Sequence, residues 1–135
     1  PVAGGTQVML DDVTQFGGAS IVGDTDGKYV YWTSHHHGGA LSRCPIANLD
    51  KAHIEPVATV DNSSEGLFVD DEYAYYQEDE SLVHGKPIWR VAKDGSSEPE
   101  LLAELDGGFA LVGVDDGFVY AQDFDNVIYR VSKTP

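Results

Sequence analysis

Apolar residues in this chain fall in short stretches bounded by Gly, Asp and Ser, and few windows place them at i, i+3, i+4 and i+7. The pattern predicts many short strands and almost no helix, so the expected fold class is all-β. The strands recur in a fixed order. An aromatic-rich strand after an Asp/Gly turn occurs in TDGKYVYWTS (25–34), DDEYAYYQE (70–78) and DDGFVYAQD (115–123), with Tyr31, Tyr75 and Tyr120 at matching positions. A small-residue apolar strand precedes each, ASIVG, GLFV and FALVGV, and its weak alternation predicts burial on both faces. A third strand carries Arg43, Arg90 or Arg130, within ALSRCPIAN (40–48), PIWRVAKDG (87–95) and VIYRVSKTP (127–135). A fourth, EPVATV (55–60) or ELLAEL (100–105), is closed by Asp61 or Asp106.

A lone four-stranded meander cannot bury both of its faces, so units of this kind repeating every ~45 residues are expected to stack as β-propeller blades. The blades fall at about 17–61, 62–106 and 107–135 of a single half-propeller domain spanning 1–135. The third lacks its fourth strand. TQVML (6–10), within an outer segment 1–10, is a fourth strand without a blade. From Arg90 to Leu105 is 15 residues, and joining the end of the chain to its start gives the same spacing from Arg130 to Leu10. Because ~4 to 8 blades close a propeller, three cannot. The expectation is a homodimeric, two-fold, six-bladed ring, in which Thr6 to Leu10 of one protomer pairs with Tyr129 to Lys133 of the other. The alternative is that the same blades are a stretch of a longer six-bladed chain.

Charge narrows the partners. Twenty-three acids against eight bases give a formal charge of −15, which repels nucleic acid and anionic membranes over a Debye length of ~10 Å. Neither is an expected partner, and no apolar run of ~18 residues suggests a membrane span. The single cysteine, Cys44, sits among apolar neighbours and is expected to be a small core residue.

The runs YVYWTS (29–34), GGALSRCP and IWRVAKDG resemble the repeats of six-bladed propellers of the YWTD, NHL and TolB-like kind, which read VYW…G.I.RV..DG. That resemblance implies a scaffold and a blade count of six, not an activity. Ser34 stands where the YWTD pattern has Asp, and Tyr76 and Ala121 replace Trp32 in the other blades.

In a meander, the loops joining strands two and three share one face, called here the top, with the loops between blades. These loops hold ten of the twenty-three acids and four of the five histidines, an acidic rim suited to a cationic or hydroxyl-rich ligand or a metal ion. Candidate ligand-binding residues are Trp32, Glu65, Glu78, Asp79, Asp123 and Asp125. His35 and His37 are two apart and can face one side of an extended chain, so with a third ligand from His84, Asp123 or Asp125 they are candidate ligands for a divalent metal such as zinc. Glu65 precedes an innermost strand, and resemblance to calcium-dependent gluconolactonase and paraoxonase-like propellers would place an axial calcium ion near it. Arg43, Arg90 and Arg130 are expected to pack on aromatic rings and pair with a turn Asp. The leading functional expectation is a non-catalytic recognition module whose partners are a second copy of itself and a glycan or other small-molecule ligand. The alternative is a calcium-dependent hydrolase.

Overall fold

The structure is a computed structural model that describes residues 23–33, 39–60, 64–78 and 86–134, with the side chains of 64 and 65 left out. Among these residues, eleven strands form three antiparallel sheets in chain order. Sheet one contains β1 (Gly23–Thr25), β2 (Tyr29–Thr33), β3 (Gly39–Pro45) and β4 (Glu55–Val60). Sheet two contains β5 (Ser64–Val69), β6 (Tyr73–Glu78), β7 (Lys86–Ala92) and β8 (Glu100–Leu105), and sheet three β9 (Phe109–Val114), β10 (Phe118–Asp123) and β11 (Ile128–Ser132). The first strand of each sheet meets the first strand of the next, β1 against β5 and β5 against β9. The sheets therefore fan out like propeller blades. The expected fourth strands at 55–60 and 100–105 are present, and sheet three has three strands among the described residues. Thr6 to Leu10, the expected exchanged strand, lies outside the described residues.

One turn is built three times. In each sheet an Asp follows the first strand, and its side chain accepts two backbone N–H groups with one oxygen and a tyrosine hydroxyl with the other. Asp26 takes the N–H of Lys28 and Tyr29 at 2.9 and 2.8 Å and the Tyr31 hydroxyl at 3.1 Å. Asp70 does the same with Glu72, Tyr73 and Tyr75, at 2.9, 2.8 and 2.8 Å. Asp115 does so with Gly117, Phe118 and Tyr120, at 2.9, 2.8 and 2.6 Å. Such an Asx turn holds the backbone in its bend. The tyrosine, five residues on, ties the turn to the second strand.

Alternation along the strands then puts one apolar set on each face. The Tyr31, Leu41, Val57 and Val60 face of sheet one packs on Leu67, Ala74, Tyr76 and Val91 of sheet two. The corresponding Tyr75 and Ile88 face of sheet two packs on Leu111, Val119 and Ala121 of sheet three. Cys44 is fully buried, as expected of a core residue. The innermost strand β5, between β1 and β9, has Gly66 and Leu67 buried and Phe68 and Val69 half-buried, but β9 does not share the expected burial on both faces. In β9, Phe109 and Leu111 are buried, whereas Ala110 and Val112 are exposed, because sheet two covers one face and no described residue covers the other.

Each seam between sheets also carries a polar clasp on the side of the Asp turns. Arg43 of sheet one donates to the Lys93 carbonyl of sheet two at 3.0 Å, and the Lys93 ammonium returns to Asp26 at 2.7 Å. At the second seam Arg90 donates to the Lys133 carbonyl, and the Lys133 ammonium meets Asp70 at 2.6 Å. The arginines stack as expected, with Arg43, Arg90 and Arg130 at 4.5, 5.0 and 4.8 Å from the ring centroids of Tyr29, Tyr73 and Phe118. They do not pair with a turn Asp. Arg43 pairs with Glu55 and Arg90 with Glu100, each at 2.7 Å, because those glutamates stand directly across the ladder between the third and fourth strands.

The clasp makes stability depend on acid. Burial pushes the Asp70 carboxyl up, but the Lys133 ammonium, the N–H groups of Tyr73 and Glu72 and the Tyr75 hydroxyl outweigh it and hold the group at about 2. Burial and the Lys93 ammonium compete likewise at Asp26, which also ends well below the carboxylate range. An unfolded aspartate titrates near ~3.9. A depressed folded value contributes stability that is present above ~3.9 and is lost as pH falls through the folded value. Asp70 alone is expected to lose about 2 kcal/mol between about pH 5 and pH 2. Urea denaturation across that range checks it, and the Lys133→Met variant should show a shallower acid dependence. An equal slope in the two proteins would contradict the assignment.

Candidate functional site

The strand ends nearest the expected binding loops are the C-terminal ends of β2, β6 and β10, where Thr33, Gln77 and Gln122 occupy equivalent positions. Gln77 is buried and its Nε2 donates to the Phe109 carbonyl of the next sheet at 2.8 Å. Among the described residues its Oε1 has no hydrogen-bond partner, and neither has the buried Thr33 Oγ1. Glu78, the next residue along β6 and on its opposite face, is 7% exposed. Strand ends that leave Thr33 Oγ1 and Gln77 Oε1 buried and without a partner among the described residues are unfavourable in an apolar setting and suited to a polar guest.

Asp123, at the equivalent place in sheet three, is committed to its own turn. One carboxylate oxygen accepts the N–H groups of Asp125 and Val127 at 2.9 and 2.8 Å, and the other accepts the Tyr129 hydroxyl at 2.9 Å. The Val127 N–H, the Tyr129 hydroxyl and the Asp125 N–H together hold this carboxyl below its ordinary value. The turn leaves Asn126 at φ 64°, where its side chain accepts from Gln122 at 3.1 Å. Asp125 is exposed at the tip. Phe124, 88% exposed, lies over Gly108, where any Cβ would fall 2.0 Å from its ring. Phe109, Ala110, Gln122 and Asp123 complete a shallow groove of about 320 Å³ below that ring.

Of the sequence candidates, then, the structure brings Glu78 to the end of β6 and Asp123 and Asp125 to the turn between β10 and β11. Trp32 is 6% exposed and lies on the face of β2 opposite Tyr31. Asp79, His35, His37 and His84 lie outside the described residues, as does the side chain of Glu65. Among the described residues, no group of three or more His, Cys, Asp or Glu side chains is placed to hold a metal ion, and no helix is long and apolar enough to cross a membrane. The fifth histidine, His53, meets Asp50 at 2.8 Å.

The residues that sequence reasoning missed are Lys93 and Lys133. The signal was present: a lysine stands three residues after Arg90 and Arg130, and each turn reads Asp, two residues, an aromatic, one residue, Tyr. No protein-family model matches the chain, and a search of curated proteins returned no match.

Proposed function

We propose that this chain is a non-catalytic recognition module of six-bladed propeller type, in which two copies form the ring and the top ends of the sheets bind a hydroxyl-rich or cationic ligand. The observation that carries the ligand reading is that equivalent strand ends leave buried acceptors without a partner among the described residues, Thr33 Oγ1 where sheet one meets sheet two and Gln77 Oε1 where sheet two meets sheet three, with Glu78 also buried at the end of β6. A hydroxyl or ammonium guest supplies the donors that these acceptors lack. The acidic character of the chain, at a formal charge of −15, favours such a guest over an anion. The repeat favours a ring, because each sheet turns the same apolar face toward its follower.

Calorimetric titration with a panel of neutral and amino sugars, and with Ca²⁺ and Zn²⁺ alone, tests the reading. Saturable binding of at least one probe is expected, weakened about ten-fold or more by Glu78→Gln, since a hydrogen bond to a charged group contributes ~1.5–3 kcal/mol. No binding at millimolar concentrations, or binding untouched by Glu78→Gln, would count against it.

A further inference from the structure

The turn that joins β10 to β11 leaves a large apolar side chain in solvent. Phe124 is 88% exposed, although its backbone is held in place: Asp123 accepts the N–H groups of Asp125 and Val127, and Asn126 follows at φ 64°. The ring lies against Gly108, the residue before β9, and a Cβ at that position would overlap its edge. Glycine there seats the ring without covering it.

Two amides stand beside this ring. In sheet two the counterpart of Gln122 is Gln77, whose Nε2 reaches across to the Phe109 carbonyl of sheet three at 2.8 Å. Gln122 stays within its own sheet and donates to the Asn126 Oδ1 at 3.1 Å. Among the described residues that bond leaves the Gln122 Oε1 as an acceptor and the Asn126 Nδ2 as a donor, both on residues lining the groove of about 320 Å³. Phe109 and Ala110 add apolar lining. Because the Phe109 carbonyl receives Gln77, the groove adjoins the strand end where Gln77 Oε1 is buried without a partner among the described residues. No cationic side chain is among the described residues that line it, and Asp123 holds both carboxylate oxygens in its own turn. An exposed aromatic face, an apolar lining and an amide pair suit a neutral guest with hydroxyls, not an ion.

We propose that this groove binds a neutral pyranose, with one face of the sugar stacked on Phe124 and its hydroxyls donating to Gln122 Oε1 and accepting from Asn126 Nδ2. The face of an aromatic ring is electron-rich and meets the C–H bonds on the less polar side of a sugar, while each hydroxyl can both donate and accept. A volume of about 320 Å³ is near the ~300 Å³ lower end for ligand sites. It suits one sugar ring.

This inference rests on the hydroxyl-rich half of the proposed function. NMR titration tests it apart from that reading, with methyl β-glucoside and methyl β-galactoside as probes and sorbitol, a polyol without a ring, as control. The side-chain amide signals of Gln122 and Asn126 should shift saturably with at least one glycoside and stay in place with sorbitol. Phe124→Ala should weaken that binding about ten-fold or more, and Phe124→Trp, which keeps an aromatic face, should retain it. Gly108→Ala keeps Phe124 but displaces its ring, so it should weaken binding while the rest of the spectrum shows the fold unchanged. If a glycoside binds and Glu78→Gln weakens it but Phe124→Ala does not, the stacking site is misassigned and the proposed function stands. Equal shifts with sorbitol would overturn the stacking in the same way. If neither glycoside shifts those signals, the pyranose site falls, and binding of Ca²⁺ or Zn²⁺ would then leave only the cationic half of the proposed function.

Discussion

Replacing Asp70 with alanine is expected to cost the fold about 4 kcal/mol, a large share of the ~5–15 kcal/mol available to a domain. The side chain accepts from the Glu72 and Tyr73 backbone, the Tyr75 hydroxyl and the Lys133 ammonium. Without it the Lys133 ammonium, in a residue only 8% exposed, is left without its counter-charge between sheets two and three. The backbone of the same lysine accepts from Arg90, so both halves of the clasp loosen together. Asp115 supplies the control. Its turn makes the same three hydrogen bonds but pairs with no described lysine, so Asp115→Ala should cost about 1 kcal/mol. Urea denaturation of the two variants measures the difference. Equal losses would mean that the turn, and not the clasp, joins the sheets.

Gly66→Val is the second severe substitution expected, at about 3 kcal/mol. The strands β5 and β9 approach so closely at the centre of the fan that a Cβ on Gly66 would lie 2.7 Å from the Leu111 Cβ and 3.3 Å from the Leu111 backbone N. Neither atom is the free end of a side chain, so the seam itself must open. Gly113, also in an innermost strand, has nothing within 4 Å of the same construction. Gly113→Ala should be neutral or stabilise by about 0.5 kcal/mol through the unfolded chain. Thermal melts of both variants check the pair. A tolerated Gly66→Val would show that β5 and β9 are not in contact.

Much of this scaffold could be read from the sequence because it is local. The aromatic turn signature placed Tyr31, Tyr75 and Tyr120 in equivalent positions, and runs closed by Asp located β4 and β8 at 55–60 and 100–105. Contacts between sheets were less legible. The Lys93–Asp26 and Lys133–Asp70 pairs join residues 67 and 63 positions apart, so the spacing within one repeat marks the lysines but not their partners. The arginines were assigned to turn acids, although the nearer acids are Glu55 and Glu100, across the ladder from them. In β9, Ala110 and Val112 read as core because they are apolar, yet they sit on the open face. The candidate site was legible only as composition. Its histidine loop and Asp79 fall outside the described residues, whereas Asp123, chosen as a ligand, already spends its carboxylate on its own turn.

Closure of the ring by a second copy is the step on which the rest of the functional account depends, and mass in solution tests it most directly. Sedimentation equilibrium over a wide range of concentration should give twice the chain mass of 14.6 kDa, falling toward the single-chain value only on dilution, with a denaturation midpoint that rises with concentration. A compact species of 14.6 kDa at every concentration, with a midpoint independent of concentration, would contradict it.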